Sequence, residues 1–229
     1  VIYFTPYYDP DEMAFLNRFL KAGDTFVDGG ANIGTYTLLA ANLVGPSGRV
    51  VSFEPSTQAA RHLRENVAIN GLEGIVLVRQ AAIGAERGFV KITSGSDVSN
   101  SIVSAAEAGR LTEVIEVVPL DGTELPFRPS VIKLDVEGYE MEALRGMHEM
   151  LVEGRRPILI IEFTPHLLRR AGTSATDVAA HLDSLGYSLY KYSHAKNEFV
   201  SVDHGMIENM QANYLGMPNE RMAEIMSNF

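Results

Sequence analysis

Thr25-Phe26-Val27-Asp28-Gly29-Gly30-Ala31-Asn32-Ile33-Gly34-Thr35 reads as a short apolar strand, a glycine-rich turn and the first residue of a helix. The strand is Thr25–Val27. The helix runs over Thr35–Leu43, until Gly45-Pro46 stops it. The rest of the chain repeats this alternation. Strand Arg49–Phe53 closes at Glu54-Pro55, and a helix from Thr57 to Ile69 turns Ala60, Leu63 and Val67 inward before Asn70-Gly71 ends it. Ile75–Arg79 and Val131–Leu134 are further strands, the second leading through Asp135-Val136-Glu137-Gly138 into a helix over Glu140–Met150. Pro157–Ile161 is almost wholly apolar, as a strand covered on both faces must be. A helix at Thr176–Leu185 precedes Tyr187–Tyr192 and Phe199–Val202, which pair as an antiparallel hairpin. Such alternation specifies a doubly wound, Rossmann-like α/β sheet. The expected sheet has seven strands, six parallel and the last, Phe199–Val202, antiparallel.

The remaining segments decorate this single domain, which spans residues 1–229. Residues 1–22 carry an N-terminal helix, with Asp9 as its cap, Pro10 in the first turn and Glu12 at capping-box spacing. Phe15, Leu16, Phe19 and Leu20 form its apolar stripe, and Gly23 ends it. Residues 85–120 are an insertion in which Phe89–Ile92 and Val114–Val118 read as extended. The polar run between them is long enough to serve as a lid, including Ser96–Ile102. The tail 203–229 reads as helical, its spaced methionines as adaptable packing.

Composition narrows the function classes. The chain has 229 residues, 46% hydrophobic and 21% charged, which suits one folded domain with a substantial core. A net charge of −10 repels nucleic acid, and the short arginine pairs lie beside acids, so no nucleic-acid partner is expected. No apolar run reaches membrane-spanning length. The start, Val1-Ile2-Tyr3-Phe4, lacks an initiator Met and a charged leader, and reads as a trimmed or excised domain. The absence of cysteine removes disulfide scaffolds, thiolate metal sites and thiol nucleophiles, and suits a cytoplasmic protein. Nothing in the sequence sets an oligomeric state.

The glycine-rich turn lies where open α/β sheets bind ligands, at the carboxyl end of a strand. It is not the G-x-G-x-x-G pattern that seats a pyrophosphate. Gly30 and Gly34 stand four apart, Asn32 lies between them and Asp28 precedes them. A carboxylate there repels a pyrophosphate and suits a ligand with a cationic amino group. Glu54 ends the next strand, where a carboxylate can accept hydrogen bonds from both ribose hydroxyls.

Taken in order, Asp28-Gly29-Gly30-Ala31-Asn32-Ile33-Gly34, Phe53-Glu54-Pro55, Ala82-Ile83-Gly84, the run Ile132-Lys133-Leu134-Asp135-Val136-Glu137-Gly138-Tyr139-Glu140 and Ile161-Glu162 resemble the motifs of the FkbM family of S-adenosylmethionine-dependent methyltransferases. The resemblance covers about Gly23 to Glu162. Asn32 replaces the middle glycine of the wider class I pattern. The resemblance implies that Asp28, Gly29, Gly30, Ala31, Asn32 and Gly34 hold the methionine part of S-adenosylmethionine. It further implies that Glu54 binds the ribose, that Ala82 lies near the adenine, and that Asp135 sits by the amino group or the transferred methyl. The acceptor it implies is a hydroxyl of a small molecule or saccharide.

Methyl transfer needs alignment and a group to take the acceptor's proton. The candidates are Asp135, Glu137, Glu162 and His166. Lys133, within a buried strand, should pair with Glu162 or Glu137. Asp135 and Glu162 on adjacent strand ends could also hold a hard divalent cation. No His cluster or Asp-rich loop supports one, and no metal is assigned. Three rival readings remain: nitrogen or macromolecule methylation on the same fold, a nicotinamide-dependent oxidoreductase, and a non-catalytic binding module.

Overall fold

The computed structural model describes residues 9–93, 112–122, 125 and 127–229. The expected lid at Ser96–Ile102 lies outside the described residues. In chain order the elements are α1 (Pro10–Phe19), β1 (Thr25–Gly29), α2 (Thr35–Val44), β2 (Arg49–Phe53), α3 (Thr57–Ile69), β3 (Val76–Arg79), β4 (Ala82–Ile83), β5 (Gly88–Thr93) and β6 (Thr112–Val118). There follow β7 (Val131–Leu134), α4 (Glu140–Arg145), α5 (His148–Val152), β8 (Ile158–Phe163), α6 (Pro165–Arg170), α7 (Ala175–Ser184), β9 (Tyr187–Ser193), β10 (Glu198–Ser201), β11 (Ala212–Pro218) and α8 (Met222–Met226).

The main sheet has eight strands in the order β10-β9-β11-β8-β7-β1-β2-β3. From β3 to β8 every neighbouring pair is parallel. The chain steps outward from β1 to β2 and β3, then returns to place β7 on the other side of β1. That reversal opens a crevice at the carboxyl ends of β1 and β7, where a doubly wound sheet receives its ligand. Phe26, Val131, Ile158 and Ile160 point into a core under α1, α2 and α3. Val27, Ile132, Leu134, Leu159 and Ile161 point to the opposite core under α4, α5 and α7. The apolar character of both faces explains why these strands read as continuous hydrophobic runs.

Three expectations change. The sheet has eight strands, not seven: Phe199–Val202 is antiparallel as expected, and a second antiparallel strand, β11, is inserted into the sheet. It lies between β8 and β9, antiparallel to both, within the tail that the sequence presents as helical. Its residues Ala-Asn-Tyr-Leu-Gly-Met-Pro are buried almost without alternation, so no two-residue period marks the strand. Gly216 fits there because a β-carbon would press on the Leu159 side chain at 3.2 Å. Phe199–Val202 does form the expected hairpin, but as the outermost strand β10. Second, Asp9 does not cap α1. It adopts a left-handed conformation without a capping bond, and its carboxylate accepts from the Tyr36 hydroxyl at 2.8 Å. Third, the helix expected over Glu140–Met150 breaks into α4 and α5 at Gly146. A β-carbon at Gly146 would stand 1.9 Å from the carbonyl oxygen of Gly84, so the break admits the backbone that follows β4.

The inserted runs form a separate three-stranded sheet, β4-β6-β5, beside the crevice. Among the described residues no helix is long and apolar enough to cross a membrane.

Candidate active site

The turn after β1 is locked to the end of β2. The amides of Gly30 and Ala31 both donate to the Phe53 carbonyl, each at 3.0 Å. Asn32 takes a left-handed φ of 50°. Asparagine tolerates this conformation better than most residues, which accounts for its presence where a glycine is more usual. The Asn32 amide donates to Glu54 Oε2 at 2.8 Å, and the Ser56 amide donates to Glu54 Oε1 at 2.8 Å. Glu54 is therefore held at both oxygens, and each oxygen keeps a further lone pair. Burial raises its pKa, while the two amides work against that rise. Gly30 has a structural duty beyond the ligand: a β-carbon there would stand 1.8 Å from the Asp135 carbonyl oxygen.

Asp28 is buried beneath the turn and accepts from the Thr37 hydroxyl at 2.6 Å, with Ser52 completing the network at 2.7 Å from the same hydroxyl. Its Oδ1 has no hydrogen-bond partner among the described residues. Burial raises its pKa, and the Lys133 charge opposes this.

Register brings the charged groups together. Asp28 lies opposite Lys133 across β1 and β7. Lys133 is buried, with its ammonium 3.0 Å from Asp135 Oδ2 and 4.7 Å from the centre of the Tyr36 ring. It is thus ion-paired with Asp135, two residues along the chain, and its charge also reaches Glu137 and Glu162. Asp135 and Glu162 end β7 and β8 side by side and share a hydrogen bond. Burial and the Asp135 charge push Glu162 up to about 8. Despite its burial, Asp135 falls below the ordinary carboxyl range because Lys133 and Glu162 favour its ionised form. The opposite shifts mark Glu162 as the more readily protonated member of this pair. Gln211, just before β11, donates to Glu162 Oε1 at 2.7 Å.

Glu137 sits in a left-handed conformation with φ 54°. Burial, then the Asp135 charge, push it up to about 7. Glu140 is buried at the start of α4, and burial likewise pushes it up to about 7.

A cavity of about 890 Å³ unites these groups. Asp28, Gly30, Ala31, Asn32, Glu54, Ala82, Asp135 and Glu137 all line it. Gly29 and Gly34 do not; they pack against Ile83, Leu134 and Leu63. Glu162 reaches the site through Asp135. His166 is exposed on α6, away from the cavity wall. Sequence reasoning passed over Tyr36, Glu140, Gln211 and Phe89. Tyr36 and Phe89 line the cavity, and Phe89 is 75% exposed. Spacing gave no signal for Gln211, which only the position of β11 brings to the site. Glu140 lay in a quoted motif but had no visible partner in the sequence. Among the described residues there is no group of three or more metal-ligating side chains.

The raised carboxyls set a pH dependence. Glu12 also sits near 7, through burial. Glu12, Glu137, Glu140 and Glu162 all titrate above their unfolded value of 4.5. Between the unfolded and folded values the native state binds more protons, so their stabilisation is full below the unfolded value and is lost as pH rises through about 7 to 8. His181, lowered by burial, pulls the other way with one group. The ligand-free protein should therefore melt several degrees higher at about pH 6 than at about pH 8, at roughly 2–4 °C per kcal/mol. Scanning calorimetry at the two values checks this, and an equal or higher midpoint at the alkaline value would refute it.

Comparison with known proteins bears on this geometry. A model described as the methyltransferase FkbM domain matches residues 28–189. The hexuronic acid methyltransferase AglP of Haloferax volcanii is 26% identical over 147 residues, which cover 62% of this chain and 58% of that protein. The methyltransferase sdnD of Sordaria araneosa is 24% identical over 183 residues, covering 66% of this chain and 70% of that one. A crystal structure of a methyltransferase FkbM from Methylobacillus flagellatus KT superposes with a TM-score of 0.55 at 17% identity, over 88% of this chain and 48% of that chain. The chain thus spans about half the length of the first relatives it matches. A SAM-dependent O-methyltransferase from Thermotoga maritima has the same fold, with a TM-score of 0.50 at 16% identity, over 93% of this chain and 66% of that one.

Proposed function

Because the chain belongs to the FkbM methyltransferase family, we propose that it transfers the methyl group of S-adenosylmethionine to a hydroxyl of a saccharide or related small molecule. The observation that carries this is Glu54, a carboxylate fixed by two backbone amides on the wall of the cavity that also holds Asp135 and Glu137. The residues present fit the cofactor. Glu54 would accept from the two ribose hydroxyls. The open acceptor on Asp28 Oδ1 and the carboxylate of Asp135 suit a cationic amino end. Ala82 and Ile83 would border the base.

When bound, S-adenosylmethionine supplies a methyl group already activated by its sulfonium charge. The chain's task is to align the acceptor and to remove its proton. Glu137 is the best-placed base, since it lines the cavity beside Asp135. Its ionisation near 7 matches neutral conditions. Glu137 would take the acceptor hydroxyl's proton on a carboxylate oxygen as the acceptor oxygen gains the methyl and the sulfonium sulfur, losing it, leaves as a thioether. Glu162, raised by burial and by Asp135, would fix Asp135 through their shared hydrogen bond. Asp135, kept ionised by Lys133, holds negative charge beside the cationic ligand.

The saccharide reading draws on the hexuronic acid methyltransferase of Haloferax volcanii and on the carboxylates of Glu54, Asp135 and Glu137 along the cavity wall. Three experiments test the proposal. Calorimetric titration should show that S-adenosylhomocysteine binds and that NAD does not; NAD binding without the homocysteine compound would sink it. Glu54→Ala should weaken S-adenosylhomocysteine by at least about tenfold, since each bond to a charged acceptor is worth about 1.5–3 kcal/mol. Methyl-labelled cofactor offered to a panel of glycan and polyketide-like alcohols should label oxygen, and labelling of nitrogen alone would reassign the acceptor.

A further inference from the structure

The turn between β7 and α4 is an unusual piece of backbone. Glu137 and Gly138 are both left-handed, with φ values of 54° and 96°. A glutamate rarely adopts this conformation, and it persists only where the surroundings impose it. Gly138 is pressed against α6, where a β-carbon would stand 2.7 Å from the Leu167 backbone. The amides on either side of Glu137 point to one place. Val136 N donates to Glu140 Oε1 at 3.3 Å, and Gly138 N donates to the same oxygen at 3.2 Å. Converging amides of this kind form a concave anion seat, and here the chain fills that seat with its own carboxylate.

We propose that Glu140 is a positioning residue, whose buried carboxylate clamps the 136–138 turn and thereby holds Glu137 in its left-handed conformation at the cavity wall. The cost of the arrangement supports a purpose beyond turn formation. Glu140 is 1% exposed, and its Oε2 is buried with no hydrogen-bond partner among the described residues. An apolar residue would avoid that penalty but could not accept from two amides. The clamp also explains why Glu137 titrates near 7: the turn keeps it half-buried and close to Asp135. Its functional meaning rests on Glu137 serving as the base proposed above.

The test needs no acceptor. Carboxyl ¹³C NMR titration of the ligand-free protein, with Glu137 assigned by the loss of its signal in Glu137→Gln, should give a midpoint near 7 in the wild type. Glu140→Gln keeps an acceptor oxygen and should retain that midpoint. Glu140→Leu should lower it by about one unit or more, and speed amide exchange at Val136 and Gly138 by at least about tenfold. S-adenosylhomocysteine affinity should stay within about threefold, because Glu54 and the β1 turn are untouched. An unchanged midpoint and unchanged exchange in Glu140→Leu would overturn the proposal. If Glu140→Leu is too unstable to study alone, Glu137→Gly decides. Glycine accepts the left-handed turn without a clamp, so the loss of denaturation midpoint caused by Glu140→Leu should be clearly smaller in that background. Equal losses in the two backgrounds would overturn it. Normal turnover by Glu137→Gln would instead remove the base assignment and leave the NMR result standing.

Discussion

Gly30→Ala is expected to leave little folded protein. The β-carbon would sit 1.8 Å from the Asp135 carbonyl oxygen and 2.8 Å from its carbonyl carbon. That contact is backbone against backbone, so no side chain can rotate away. The strands cannot spread either, because Asp135 N donates to Gly29 O at 3.0 Å immediately beside it. The φ of 77° adds a left-handed penalty of about 1–2 kcal/mol. Overpacking adds typically about 1–3 kcal/mol, and more where nothing can yield. Against a domain stability of about 5–15 kcal/mol, the sum removes much of the margin. Denaturant titration should show the loss directly, and any folded fraction should bind S-adenosylhomocysteine poorly. Gly71→Ala is the control, with φ 68° and nothing within 4 Å of the added carbon. It should cost only the conformational part. If the two variants unfold at the same midpoint, the clash with Asp135 is not the reason for glycine at position 30.

Lys133→Met should be the most damaging change among the charged residues of the site. The ammonium is buried, ion-paired to Asp135 and seated over Tyr36. It also opposes the burial penalty on Asp28. Methionine fills the space but leaves two buried acids facing each other without a cation. Removing one partner of a buried pair costs about 3–5 kcal/mol. The lower end applies here, because the Asp135 side chain is still 27% exposed. The Asp135 carboxyl should then rise, since the Lys133 charge that held it down is gone. Lys133→Met with Asp135→Asn should recover a substantial part of the lost stability, because no unpaired charge is left at the β7 end. It should not recover turnover. A double-mutant cycle by urea denaturation reads the coupling, and additive losses would show that the pair is not the source of the damage.

Both effects depend on neighbours that strand order supplies. In the sequence, Gly30 and Lys133 lie more than a hundred residues apart. They approach because the chain returns from the insertion to place β7 against β1. The parallel strands, the helices between them and the hairpin β9–β10 were readable in advance, since each is marked by local periodicity, stop residues and apolar runs. β11 was not readable. A strand buried on both faces and containing Gly216 and Pro218 has no alternation and weak intrinsic preference for extension. Its place is decided by the gap between β8 and β9. The break at Gly146 was hidden for a similar reason: its cause is the Gly84 carbonyl just beyond β4, distant in sequence.

The candidate site divides along the same line. Local sequence determined which residues line the cavity at the ends of β1, β2 and β7, because a glycine-rich turn and a strand-terminal carboxylate are short-range features. Asp28, Glu54, Asp135 and Glu137 could be named from them. Only the tertiary structure decided how those acids are charged and held. Lys133 chose Asp135 because both lie on one face of β7, two residues apart. Glu162 is raised because β8 carries it beside Asp135 at the end of β7, and Gln211 arrived with β11. His166 was placed on the exposed side of α6. Electrostatic energy depends on distance and burial, and both are properties of the packed chain; the residue types alone set only which charges are available.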